Sequence, residues 1–180
     1  MNTGSVVAIN PTNVTMDMLF RGGDSTELQA REDRQVALQG VPVFAGLGDA
    51  GLTLLAQAVE ESYFRAGEVI VREGEQGNRM FIIRSGKVEV VKHLFEPHET
   101  VLDVLEAKNF MGEMCIVDCV VRSASVRAVE DTTLYSLKGI DLYRLFKKYP
   151  DQYAIVIFNI ARDLARRLRA IDEKFSAISH

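Results

Sequence analysis

The stretch from Tyr63 to Leu105 most narrows what this chain can fold into. Its apolar residues recur with a period of two, and Gly67, Gly74, Gly77 and Gly86 punctuate it every few residues. Alternation of that period belongs to strands whose two faces see different surroundings, and glycine between short strands marks tight turns. The runs Val69-Ile70-Val71, Met80 to Ile83, Val88 to Val91 and Val101 to Leu105 are therefore predicted strands, followed by further strands at Ala124 to Val129 and Thr133 to Leu137. Many short strands without intervening helices point to a rolled antiparallel barrel, not to βαβ units.

Helical patterns flank this region. Asp24 to Leu38 has an N-cap and acidic early residues and predicts a polar helix within residues 24–40, preceded by a loosely ordered segment over 1–23. Asp49 is expected to cap a helix through GLTLLAQAVEESYF. Beyond Gly139 the pattern is helical again, from Ile140 to Lys148 and, after Pro150, from Asp151 to Ile178. The barrel with its turns then fills 41–149 and the last helix 150–180. In that helix Ile157, Ala161, Leu164, Leu168, Ile171, Phe175 and Ile178 form a heptad seam. The expectation is that its first half packs on the barrel and its second half pairs with a second copy, with Arg167 and Asp172 at positions that exchange interchain ion pairs.

A second signal lies in Phe110 to Ala128. Gly112-Glu113 is followed, after eight intervening residues, by a lone Arg122 ahead of Ser-Ala-Ser-Val. A glycine, the start of a short helix and an arginine in apolar company suit a small anion such as phosphate. By contrast, Gly46-Leu47-Gly48-Asp49-Ala50-Gly51 matches a dinucleotide-binding pattern but follows no buried strand, so it fails on context.

Composition excludes several classes. A net charge of −4 argues against holding nucleic acid by bulk electrostatics, and Arg162, Arg166, Arg167 and Arg169 read as a solvated or interhelical cluster. The longest apolar run, Tyr153 to Ile160, is far short of a membrane span, and the N-terminus lacks a secretory pattern, so the expected setting is cytoplasmic and reducing. Cys115 and Cys119 are too few for a disulfide framework, and His93, His98 and His180 lack metal-ligand spacing, so no metal or cofactor is expected.

The order of elements, together with Gly67-Glu68, Glu73-Gly74, Gly86-x-Val88-x-Val90 and the FMGEM…RSASV string, resembles the cyclic nucleotide-binding domain family in its bacterial, catabolite-activator-like branch. The resemblance spans roughly Val41 to Lys174. It implies an α+β fold, an antiparallel jelly-roll-like β-barrel (double-stranded β-helix) with an N-terminal helix and two C-terminal helices. It further implies a non-enzymatic sensor of cAMP, with cGMP as the alternative ligand. A ligand-free interaction module is the rival reading. By this resemblance Arg122 pairs with the cyclic phosphate and Glu113 accepts from the ribose 2′-hydroxyl. Gly112 lets the backbone approach, and Met114, Cys115 and Ile116 open a helix toward phosphate. Ser123 and Ala124 continue the contact, Val90 and Leu105 line the base pocket, and Arg167, Ile171 and Asp172 approach from the last helix. Cys119-Val120-Val121 departs from the glycine or proline usual there and implies a stiffer, more buried loop. The implied partners are a second copy of the chain and a downstream protein, with neither nucleic acid nor membrane engaged.

Overall fold

A computed structural model describes residues 16–118 and 121–178. Among these residues five α-helices, α1 (Met16–Gln39), α2 (Asp49–Ala58), α3 (Met114–Val117), α4 (Gly139–Lys148) and α5 (Pro150–Ile178), surround eight strands. These are β1 (Glu60–Phe64), β2 (Val69–Val71), β3 (Arg79–Ser85), β4 (Lys87–Lys92), β5 (Thr100–Glu106), β6 (Phe110–Met111), β7 (Ser125–Ala128) and β8 (Thr132–Lys138). They form two antiparallel four-stranded sheets, ordered β1-β8-β3-β6 and β2-β7-β4-β5. Successive strands alternate between sheets through much of the chain, which is the jelly-roll arrangement the sequence predicts.

The first sheet is buried on both faces along β3, β8 and β6, while β1 at its edge stays largely exposed. Phe81, Ile83, Met111 and Leu134 point into the barrel with Val88, Leu105 and Val126 of the second sheet. Met80, Ile82, Phe110, Tyr135 and Leu137 point outward into a larger cluster with Leu52, Leu55, Leu142, Leu145, Val156 and Ile160 of the helices. This explains why β3 reads as an uninterrupted apolar run. A strand covered on both sides has no polar face to alternate with. The second sheet has one wet face, where Glu89 and Arg127, opposite one another in register, form an ion pair.

Several expectations need correction. Helix α1 starts at Met16, not Asp24, so only residues 1–15 of the expected loose segment lie outside the described residues. Helix α2 ends at Ala58, and Val59 turns extended into β1. The EESYF segment, which continues a helical pattern locally, is taken by pairing with β8 from Glu60↔Ser136 to Phe64↔Thr132. The N-cap of α2 is Gly48, with Asp49 one residue later in the first turn, where the helix dipole favours an acid. The decoy glycines have a packing role. A Cβ at Gly51 would lie 2.1 Å from Gln152 Oε1, so glycine there lets the starts of α2 and α5 approach.

Leu137 is fully buried between the first sheet and the helices. Leu137→Ala is expected to cost about 2–5 kcal/mol through lost transfer energy and a residual cavity. Urea unfolding followed by circular dichroism checks this, and a loss below ~1 kcal/mol would contradict the two-faced burial of the sheet.

Candidate functional site

The cassette begins where β6 hands over to α3. Gly112, at φ +76, turns the chain, and Glu113 occupies the N-cap position of α3. Arg122 returns toward this turn from the segment before β7. Its N–H donates to the Glu75 carbonyl at 2.8 Å and its carbonyl accepts from Gly74 N–H at 2.9 Å, which ties it to the loop after β2. The side chain is only 7% exposed. Its Nη2 donates to the Arg79 carbonyl at 2.9 Å, its Nη1 to the Gly112 carbonyl at 3.4 Å, and the guanidinium lies 5.5 Å from the Phe81 ring centroid. Two glycines make room for it. A Cβ at Gly112 would approach Arg122 Nη1 to 2.3 Å, and one at Gly77 would approach Nε to 2.5 Å. Among the described residues Arg122 forms no ion pair, so a buried, permanently charged fork is held by neutral carbonyls beside a cavity.

That cavity, about 90 Å³, is lined by Gly112, Glu113, Met114 and Cys115 of the cassette, by Arg122, Ser123 and Ala124, and by Val71, Phe81, Val90, Met111 and Val126 of the barrel wall, with Arg167 entering from α5. Glu113 is buried, 2% exposed, and its carboxyl pKa is raised above the ordinary 4.5. Burial is the main cause, Asp163 adds to it, and the positive charges of Arg167 and Arg122 oppose it. Arg167 Nη1 is 3.6 Å from Glu113 Oε1, its Nη2 donates to the Phe110 carbonyl at 3.3 Å, and its guanidinium lies over the Phe110 ring.

The structure thus brings together Gly112, Glu113, Met114, Cys115, Arg122, Ser123, Ala124, Val90 and Arg167. It separates four other expected residues. Leu105 is core, packed with Val88 and Val126 inside the barrel and not on the cavity wall. Ile116 faces a neighbouring groove beside α4, and its N–H is spent on the Glu113 carbonyl at 3.0 Å, so it is not free for an anion. Ile171 and Asp172 are exposed and line no part of the cavity. Arg167 turns inward to the cassette within its own chain. Cys119 and Val120 lie outside the described residues, while Val121 is exposed, contrary to a buried loop. Sequence reasoning missed Val71, Phe81, Met111 and Val126. For Val71, Phe81 and Val126 the inward position in the period-two pattern was the available signal, whereas Met111 lies in a two-residue strand that shows no period. Among the described residues no cluster of His, Cys, Asp and Glu forms a metal site, and no helix is long and apolar enough to cross a membrane.

Residues 61–149 match the family model of the cyclic nucleotide-binding domain. The chain belongs to the cyclic nucleotide-binding domain family. It is 32% identical over 142 residues to a cyclic AMP receptor protein of Thermus thermophilus, covering 79% of this chain and 64% of that protein. It is 38% identical over 111 residues to a cyclic nucleotide-gated potassium channel of Rhizobium etli, covering 62% of this chain and 30% of the channel. Its structure superposes on the Thermus thermophilus catabolite activator protein with a TM-score of 0.66 at 33% identity, over 77% of this chain and 63% of the other. The chain therefore spans less than two thirds of the length of these relatives.

The raised pKa of Glu113 has a signed consequence. The folded protein holds this proton to higher pH than the unfolded chain does, so Glu113 costs nothing at low pH. Ligand-free stability is then lost as pH rises from the ordinary carboxylate range through the raised value. In Glu113→Gln this component vanishes, and the urea-midpoint difference between variant and wild type should shift in the variant's favour across that window. A difference that stays constant with pH would show that Glu113 ionises without penalty.

Proposed function

We propose that this chain is a non-catalytic cyclic nucleotide sensor that binds cAMP, with its cavity as the ligand site. The observation that carries this reading is the Arg122 guanidinium, buried beside the cavity and held by two backbone carbonyls and the Phe81 ring, with no ion pair among the described residues. Those carbonyls and the Phe81 face fix its plane, leaving the charge for an anion at the cavity. A cyclic phosphate matches that charge. Glu113, at the other side of the Gly112 turn, supplies an acceptor for a ribose hydroxyl. The apolar wall of Val71, Val90 and Val126 suits a purine.

The choice of cAMP is supported by 32% identity to a protein named as a cyclic AMP receptor. Asp172, whose carboxylate could accept from the N1–H and N2–H edge of a guanine, is exposed and away from the cavity. A cavity of about 90 Å³ is smaller than sites for ligands of this size, so binding goes with movement of α3 and of α5, which meet there at Glu113 and Arg167. Movement of α5 is the output. Its second half presents Leu168 and Ile171 to solvent, an apolar edge suited to a second copy of the chain. The cytoplasm, where a downstream protein reads this output, is the proposed setting.

Isothermal titration with cAMP and, in parallel, cGMP tests the reading. The wild-type chain should bind, cAMP more tightly. Arg122→Ala should weaken binding by about 1.5–3 kcal/mol, on the order of ten- to hundredfold, as expected for a lost hydrogen bond to a charged group. Ligand at 100 times its Kd should also stabilise the fold by about 2.7 kcal/mol. Unchanged affinity in Arg122→Ala would remove Arg122 from the phosphate site, and binding of neither nucleotide would favour an interaction module.

A further inference from the structure

The inner face of α5 runs Val156, Ile160, Asp163 and Arg167, at helical spacings of four, three and four. Val156 and Ile160 pack into the helix-side core, so the third position calls for an apolar residue. It holds Asp163, only 6% exposed. A buried carboxylate is costly unless it is paired. Its Oδ1 accepts from Arg166, whose side chain is largely exposed, and Arg167 Nε stands 2.7 Å from its Oδ2. The second contact is an ion pair without hydrogen-bond alignment, which leaves Oδ2 buried and without a hydrogen-bond donor.

One guanidinium is therefore held at three corners. Nε faces Asp163 on α5, Nη1 faces Glu113 at the start of α3, and Nη2 donates to the Phe110 carbonyl on β6. The guanidinium is planar and rigid, so fixing Nε aims both Nη groups. The side chain is otherwise 35% exposed and has long-chain rotamer freedom to leave the cavity.

We propose that Asp163 is a positioning residue that holds Arg167 against Glu113, so that α5 and the ligand cavity are mechanically one unit. This rests on the reading of the cavity as a cyclic nucleotide site for its ligand-binding consequence, but not for the positioning itself. A ligand hydroxyl arriving at Glu113 meets a carboxyl that Arg167 of α5 already faces at 3.6 Å. Any shift of α5 carries Arg167 with it through Asp163 and changes what Glu113 can offer. The linkage is reciprocal, since a ligand that alters the Glu113–Arg167 contact biases the position of α5 by the same free energy.

Two measurements on the full chain test this. The first needs no ligand. The Arg167 Nε–H resonance, assigned by its loss in Arg167→Met, should show a restrained side chain in wild type and an averaged, mobile one in Asp163→Asn. The second is cAMP titration of Asp163→Asn, Asp163→Leu, Arg167→Met and Asp163→Leu/Arg167→Met, with thermal unfolding recorded for each. Leucine suits the apolar face, so Asp163→Leu should fold at least as stably as wild type while binding cAMP about tenfold more weakly. In the Arg167→Met background the Asp163 substitution should have no further effect. A restrained Arg167 in Asp163→Asn overturns the proposal whatever the ligand data. Independent, multiplying effects on affinity overturn it as well. If wild type binds neither cAMP nor cGMP, the reading of the cavity fails and the Nε–H measurement alone decides whether Asp163 positions Arg167.

Discussion

Burial of the first sheet on both faces is the constraint on which the rest of the structure depends. Barrel and helices share this one sheet, which gives Phe81, Ile83 and Leu134 to one core and Met80, Ile82, Tyr135 and Leu137 to the other. Strand β6 is the edge of that sheet, and its two residues divide between the cores, Phe110 to the helix side and Met111 to the barrel side. The cavity opens directly after this edge, where Gly112 turns the chain. A site placed on the seam between two packed bodies can respond to a change in either, because neither core deforms continuously.

The electrostatics of the seam are asymmetric. Arg122 is held by carbonyls and an aromatic face, which orient it without an ion pair among the described residues. Arg167 is compensated, and more than once, by Glu113 and Asp163. Glu113 stands between the two cations with its proton favoured by burial. The cavity thus sets a cation on one side of the Gly112 turn and a buried acid on the other. The acid, not Arg122, makes the connection to α5.

Much of this was legible in local order along the chain. The period-two runs placed six of the eight strands. The two missed were β1, whose EESYF continues a helical pattern and is decided only by pairing with β8, and β6, whose two residues are too short to show a period. The Gly112-Glu113 and Arg122 spacing located the cassette, because a turn, a short helix and a returning strand are contiguous in sequence. The last helix was legible in its first half, where Val156 and Ile160 pack on the body of the protein as expected. Its heptad seam runs on through exposed Leu168 and Ile171, and it does not reveal that Asp163 and Arg167 continue the inner face toward the cassette.

Sequence by itself determined the barrel, the flanking helices and the pairing of a glycine-acid turn with a buried arginine, since periodicity and spacing are properties of neighbouring residues. Tertiary structure decided which wall residues line the cavity, that Leu105 is core, that Asp172 stands away, and that Asp163 and Arg167 close on Glu113. Those outcomes depend on the rotation and angle at which α5 meets the first sheet. That placement is settled by packing between segments some fifty residues apart, as in the contact of Arg167 with Phe110, and no local pattern encodes it.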